Sequence, residues 1–409
     1  MSTEDLIPHL FRTEYRKIVS VLCRRFGFDE IEIAEDIASE TFLTASQAWG
    51  IEGIPPNPVG WLYTVAKNKA ANQLQRRKLF ENKISSDFAY SLIAPASEID
   101  IDLSPQHIED SQLQMMFSLC HPELNAETQV GLCLRILCGF GIEEIADAFL
   151  TGKETINKRL LRGKERLRAA KIEIRMPEQV EIEARLESVL TTIYLLFNEG
   201  YYSISKNQTL RKDLCLEAIR LCTMLVENAQ TDRPEVNGLL SLMCFHISRF
   251  DARLDGSGEI VLYNEQETSS WNNDWISKGG YFLIRAGRGQ KLYSYHIEAA
   301  IAYWSTRKED TMEKWKQVLK LYDELLLIKY SPAAALNRVY ALSKVEGTAS
   351  AIKEALKLEF TENHFYYSLL GEFYLNVDRE KAKEYFRLAL SIAKSSSDKL
   401  SIRKRLASL

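Results

Sequence analysis

The sequence predicts an all-α protein of several domains, and three observations carry that reading. Residues 141–170 read as two short helices with a tight joint between them. Residues 6–27, 31–42 and 61–78 place their apolar side chains at helical steps. From residue 180 onward the chain is one amphipathic helical stretch after another, with a repeat near its end. A length of 409 residues suggests two to four domains, and 46% apolar content is ample for folded cores.

The 141–170 stretch organises the rest. Its first helix is expected from Ile142 to Phe149 and the joint is Leu150-Thr151-Gly152-Lys153. Thr151 and Glu154 have the spacing of a capping box, which predicts a new helix there. Along that helix Ile156, Leu160, Gly163 and Leu167 form an apolar stripe. Lys153, Thr155, Lys158, Arg159, Arg162 and Arg166 supply the polar, mostly cationic remainder. One packed face and one cationic face, held by a short turn on another helix, is the layout of a helix-turn-helix reader of DNA. A basic face can also be merely solvated.

Taken in order, residues 6–27 form a helix with Leu10, Tyr15, Ile18, Val19 and Leu22 inward. In 31–42, Ile33, Ile37 and Phe42 are expected in the core, while Glu35, Asp36 and Glu40 stay outside. The Gly50–Gly60 loop holds Pro55, Pro56 and Pro58 and cannot be helical throughout. From Trp61 to about Lys78, one helix side carries Leu62, Val65, Ala66 and Lys69. Another carries Trp61, Thr64, Asn68, Asn72 and Gln75, ending at Arg76. An exposed aromatic beside a line of amides suits base stacking and base-edge contacts. The same pattern fits a helix whose Trp packs inward and whose amides are solvated.

Residues 84–111 have few helix cues and read as an acidic linker. Helices resume at Leu113–Cys120 and Asn125–Leu137. Beyond Met176-Pro177, an irregular patch at 251–290 contains Asp255-Gly256-Ser257-Gly258 and suggests a small hairpin or long loop. Leu370-Gly371-x2-Tyr374 followed by Ala382-x3-Phe386-x2-Ala389 resembles the tetratricopeptide pattern. Helix pairs near 294–328 and 332–356 precede it at a similar period. Such pairs bury their apolar sides by stacking, so a short solenoid is expected.

Net charge is −4, so the whole chain does not announce nucleic acid; the balance is local. Lys67 to Lys83 holds six Lys/Arg against one acid, and Lys153 to Arg175 nine against three. Asp87 to Asp110 holds six acids and no Lys/Arg. Over 176–409 the two signs balance at 31 each. The polar N-terminus and the lack of a long apolar run predict neither signal peptide nor membrane span. Seven scattered cysteines without a CxxC pair read as reduced thiols of a cytoplasmic protein. Cys120, His121, Cys133 and Cys138 fit no usual zinc spacing, so no metal or other cofactor is expected. The C-terminal half has no nucleophile–base pair or Gly-rich phosphate loop, so enzymatic activity is not expected.

With these parts placed, residues 1–175 resemble a bacterial sigma-70-type initiation factor of the extracytoplasmic-function (ECF) class. Ala34-Glu35-Asp36-Ile37 through Glu40-Thr41-Phe42 is similar to the surface that docks on RNA polymerase. Residues 61–70 are similar to the segments that open and read the −10 promoter element, and 141–168 to the reader of the −35 element. Tyr194-Leu195-Leu196-Phe197-Asn198-Glu199-Gly200-Tyr201 and Ser118-Leu119-Cys120-His121-Pro122 resemble the ECF group with a tetratricopeptide-like extension. Many relatives have Gly where this chain has Leu150, and no zinc-binding anti-sigma module is visible.

The resemblance implies a region 2 domain at 1–83, a linker at 84–111, a region 4 domain at 112–175 and a helical extension at 178–409. It implies RNA polymerase core and promoter DNA as partners, without a membrane. It assigns Glu35, Asp36 and Glu40 to polymerase, and Trp61, Thr64, Asn68, Asn72, Gln75 and Arg76 to the −10 element. Lys153, Thr155, Lys158, Arg159, Arg162 and Arg166 fall to the −35 element. The extension is expected to regulate initiation, with a regulatory protein or peptide as possible partner. The alternative is a stand-alone helix-turn-helix regulator with a tetratricopeptide-like sensor. The 31–78 block, which a simple repressor would not need, separates the two.

Overall fold

The computed structural model describes residues 3–84, 101–201, 208–253, 261, 263–289, 291–394 and 396–409, excepting the side chains of 3–5, 77–84, 208–210, 264, 396 and 397. Among the described residues the regular elements are all helices, which meets the expected fold class. They form two compact units, Met1–Thr231 and Asp232–Leu409.

The first unit holds α1 (Thr3–Phe26), α2 (Ile31–Glu52), α3 (Pro58–Ile84), α4 (Pro105–Leu119), α5 (Ala126–Leu132), α6 (Ile142–Ala148), α7 (Lys153–Ala169), α8 (Gln179–Tyr201) and α9 (Gln208–Glu227). Tyr15, Ile18, Val19 and Leu22 of α1 are fully buried, so the stripe expected on residues 6–27 is the hub of its core. Tyr63 of α3 donates to the Glu14 carboxylate at 2.5 Å and fastens α3 to α1. Burial first, and the hydrogen bond to Glu14 second, push the Tyr63 phenol far above its ordinary pKa.

Several boundaries differ from the sequence expectation. The proline loop is shorter: α2 continues to Glu52, and Pro58 is the first residue of α3, where a missing N–H costs nothing. The linker ends earlier than residue 111. Ser104 holds the N-cap position of α4 without a side-chain cap bond, Pro105 opens the helix, and Ile101, Ile108, Ser111 and Gln112 are buried. Residues 85–100 lie outside the described residues.

The expected joint between α6 and α7 is present with different capping. Gly152, not Thr151, is the N-cap of α7, and no side chain caps that end. The Thr151 N–H instead turns back to the Ala146 carbonyl at 2.9 Å, closing the end of α6. Leu150 takes the left-handed conformation that closure needs, with φ 49°. This is a conformation glycine adopts freely and leucine does not. A one-way side-chain cap lies one helix earlier, where the Glu144 carboxylate accepts from the Gly141 N–H at 2.8 Å.

The change of character after Met176-Pro177 is not a unit boundary. Helices α8 and α9 pack with α4, α5 and α6 inside the first unit. Thr192 of α8 donates to the Gln129 side chain at 2.7 Å, and Arg185 donates to the Phe117 carbonyl at 2.8 Å. On α9, Arg220 donates to the Leu137 carbonyl at 2.8 Å, while Asp213 and Glu217 pair with Arg12 and Arg16 of α1 at 2.7 and 2.5 Å.

The second unit holds α10 (Pro234–Ile247), α11 (Asn273–Ala286), α12 (Ser294–Trp304), α13 (Met312–Ile328), α14 (Pro332–Val345), α15 (Thr348–Leu356), α16 (His364–Tyr374), α17 (Arg379–Ile392) and α18 (Ser396–Ala407). The expected irregular patch is therefore partly helical, through α11. Its Asp255–Gly258 turn lies outside the described residues. Helices α12–α17 follow one another through short connections, each packed on the next. In the last pair, Leu370, Ala382, Phe386 and Ala389 are buried, and a Cβ on Gly371 would sit 2.9 Å from the Phe386 ring. That glycine lets the ring lie flat on the α16 backbone.

Candidate nucleic-acid interface

Helix α3 separates its faces as its sequence indicates. Leu62, Ala66 and Ala70 are buried, and Thr64, Asn68, Asn72, Gln75 and Arg76 are exposed. The Thr64 hydroxyl donates back to the Gly60 carbonyl at 2.8 Å, which leaves its oxygen lone pairs outward. Asn68, Asn72, Gln75 and Arg76 have no hydrogen-bond partner among the described residues. Trp61 falls between its two expected readings: it is half-buried, with its ring edge-on to the buried Trp49 at 5.4 Å. Its remaining surface is free to stack.

On α7 the apolar stripe Ile156, Leu160, Gly163 and Leu167 is buried as expected. Gly163 is where α7 lies closest to α5, since a Cβ there would meet Thr128 Cγ2 at 2.6 Å. The six expected reader residues separate into two sets. Thr155, Lys158, Arg162 and Arg166 are exposed and follow one helix face at steps of three, four and four. Among the described residues Lys158, Arg162 and Arg166 have no acidic partner. Lys153 is exposed but bonded to Glu143. Arg159 is half-buried, paired with Glu127 at 2.8 Å and stacked over the Phe149 ring at 5.2 Å. It is anchored to its own domain.

The α2 carboxylates correct the sequence expectation in one respect. Asp36 and Glu40 are exposed, and Glu40 pairs with Lys69 at 3.0 Å. Glu35 does not stay outside. Its side chain is 14% exposed and accepts from Lys164 of α7 at 2.5 Å, with Arg135 at 3.5 Å on its other oxygen. Glu32 extends the contact by pairing with Arg168, whose Nε also donates to the Phe28 carbonyl at 2.9 Å. The edge of α7 opposite its free cations is thereby tied to α2.

Sequence reasoning missed this tie, and it missed the clasp of α9 on α1. The second had a signal: Arg12 and Arg16 repeat at four residues on α1, as Asp213 and Glu217 do on α9. Burial works against the Glu217 carboxylate, but Arg220 and Arg16 outweigh it and hold its pKa below the usual value. All seven cysteines are buried thiols, with Cys120 and Cys133 sulfurs 3.8 Å apart. Among the described residues no His/Cys/Asp/Glu group could hold a metal ion, and no helix is long and apolar enough to cross a membrane.

Comparison with known proteins reaches the part of this geometry that lies on α1 to α3. The family model for sigma-70 region 2 matches residues 10–80, which span α1, α2 and most of α3. A second model, described as a family of unknown function (DUF6596), matches residues 185–287 and so runs from α8 to the end of α11. No solved structure matches the chain significantly. The uncharacterized protein R00370 of Rhizobium meliloti (strain 1021) is 32% identical over 383 residues, covering 93% of this chain and 90% of that protein. The chain therefore belongs to the same family as R00370, and within it residues 10–80 match sigma-70 region 2.

Proposed function

We propose that the protein is an RNA polymerase sigma factor of the ECF class, without catalysis of its own. In this reading α3 meets the −10 element through Thr64, Asn68, Asn72, Gln75 and Arg76, with Trp61 as a stacking edge. The α7 face of Thr155, Lys158, Arg162 and Arg166 meets the −35 element. Asp36 and Glu40 face the polymerase core. The observation that carries the reading is the coincidence of region 2 with an α3 face whose amides are exposed and unpartnered.

The resting arrangement is closed. Lys69–Glu40 links α3 to α2, and Glu35–Lys164 links α2 to α7, so a single helix separates the two readers. Two helix spacings amount to roughly 20 Å. The centres of a −10 and a −35 element lie about 25 base pairs apart, about 85 Å at 3.4 Å per step. Reading both requires α7 to leave α2, which also frees Glu35 for the polymerase surface that α2 supplies. The C-terminal extension regulates this step in our reading, with α8 and α9 as the part of it that belongs to the first unit.

The test is transcription in vitro with purified core polymerase on a library of upstream sequences. Enrichment of one −35/−10 pair, dependent on core, is the expected result. Tight, core-independent binding of a single element would favour a stand-alone regulator and sink the sigma reading.

A further inference from the structure

The second unit contains a cavity of about 290 Å³ where the end of α10, the 263–270 segment, α12, α13 and α14 meet. Its walls include Tyr263, Trp315, Tyr340, Ile301 and Val318, and its polar residues include Arg249, Lys314, Gln266 and Asn337. Asn337 and Tyr340 are exposed, so the cavity opens at the α14 surface.

The charges there are unbalanced. Lys314 is only 4% exposed, and its ammonium is bonded to the Arg307 carbonyl and the Tyr263 hydroxyl, with no carboxylate within 4 Å. Arg249 lies over the Tyr263 ring at 5.3 Å and the Trp271 ring at 5.8 Å, and donates weakly to the Ser305 carbonyl at 3.4 Å. Its Nε is buried without a hydrogen-bond partner, and it has no acidic partner among the described residues. Asp310 and Glu309 act on Lys314 through space without bonding it, and Asp310 is already bonded to Lys344 at 3.1 Å and to the Trp315 indole. Gln266, 5% exposed, has a side-chain oxygen with no donor.

Two cations confined beside a cavity with no carboxylate bonded to either are costly to bury, because each has exchanged water for too few acceptors. Ring contacts offset only part of that cost. A negative group from outside would supply the missing acceptor. The cavity volume is near the lower end for small-molecule sites, and the aromatic walls suit a flat apolar body.

We propose that this cavity binds a small organic anion with an aromatic body, its anionic group against Arg249 and Lys314 and its ring against Trp315 and Tyr340. The proposal concerns the second unit alone and does not rest on the sigma reading. If both hold, the extension acquires a chemical signal to report.

The experiment is calorimetric titration of the full-length protein with benzoate and with phenyl phosphate. Benzyl alcohol and inorganic phosphate are the controls. Saturable binding of at least one aromatic anion with Kd about 1 mM is expected for so small a probe, with neither control bound. The probe preferred identifies the anionic group as carboxylate or phosphate, and either supports the proposal. Arg249→Gln should weaken binding roughly 10–100-fold, as loss of a charged hydrogen bond implies. Lys314→Met is a second variant, and circular dichroism establishes that each is folded. Absence of binding of both aromatic anions up to about 10 mM overturns the proposal. So does equal binding by folded Arg249→Gln, or an equal response to inorganic phosphate.

Discussion

Lys164 of α7 and Glu35 of α2 form an ion pair at 2.5 Å with both side chains nearly buried, 11% and 14% exposed. The pair joins the helix that carries the outward basic stripe to the helix beside α3. It is asymmetric, because Glu35 has a second cation in Arg135 at 3.5 Å whereas Lys164, among the described residues, otherwise has only Glu32 at 3.8 Å.

That asymmetry sets an order of effects. Glu35→Gln leaves the buried Lys164 and the half-buried Arg135 facing a neutral amide and should cost about 3 kcal/mol. Lys164→Met leaves Glu35 held by Arg135 and should cost about 1–2 kcal/mol. Urea unfolding of the two variants measures both. A larger loss in Lys164→Met would show that Arg135 does not support the carboxylate.

The turn between α6 and α7 offers a stabilising change. Leu150 is 57% exposed and left-handed, so it contributes little burial and carries the steric cost of its backbone. Leu150→Gly should gain about 0.5–1 kcal/mol after the extra chain entropy of glycine is deducted. An unchanged or lower melting temperature would contradict this.

The reader helix should respond unequally to loss of two neighbouring arginines. Arg162→Ala should weaken one upstream promoter element by roughly 1–3 kcal/mol without loss of stability. Arg159→Ala should lower stability, since it frees Glu127 and bares Phe149. Transcription on element variants and thermal melting, done on both proteins, separate the effects. Wild-type initiation by Arg162→Ala at every element would remove α7 from promoter reading.

Fragments should divide at Thr231 and not at Met176. A chain of residues 1–231 keeps α8 and α9, with Thr192–Gln129, Arg185–Phe117 and Arg16–Glu217 intact. A chain of 1–176 uncovers the α4 and α5 surfaces those helices protect. The longer fragment should be monomeric and cooperatively folded, the shorter one aggregation-prone in size-exclusion chromatography. Equal behaviour would mean the two helices are dispensable to the unit.

Acid should act on the clasp of α9. The folded pKa of Glu217 is depressed, so on lowering the pH the unfolded chain takes up the proton first. The stabilisation is complete above the ordinary carboxylate value of 4.5 and is lost as pH falls below it toward the folded pKa. Glu217→Gln should be less stable than wild type at pH 7 and should lose less on acidification. Parallel stability curves would show that Glu217 does not carry the dependence.

Helix type and the two amphipathic faces were legible because periodicity and burial report the same physics. Ile156, Leu160, Gly163 and Leu167 are one stripe in the sequence and one buried face in the fold. Ion pairs across the chain were not legible in this way. Nothing local to Glu35 distinguishes it from Asp36; the difference is that Lys164, 129 residues away, comes to rest against it. The linker's end and the place of α8 and α9 were misjudged for a related reason. Charge composition shifts at residues 111 and 177, whereas unit boundaries follow buried contacts.

The pairing of α7 also changes what its charge means to a polyanion. The helix carries seven Lys or Arg, but Lys153, Arg159, Lys164 and Arg168 each have a carboxylate of the same chain beside them. Only Lys158, Arg162 and Arg166 remain to displace condensed ions from a duplex. Each phosphate neutralised contributes about −0.9 to the slope of log affinity against log salt, so α7 should contribute about −3 in the closed protein, where a bare count of the helix gives about −6. Freeing Lys164 and Arg168 would steepen that slope toward about −5. Ionic strength thus provides a gauge of whether α7 is held against α2 or released from it.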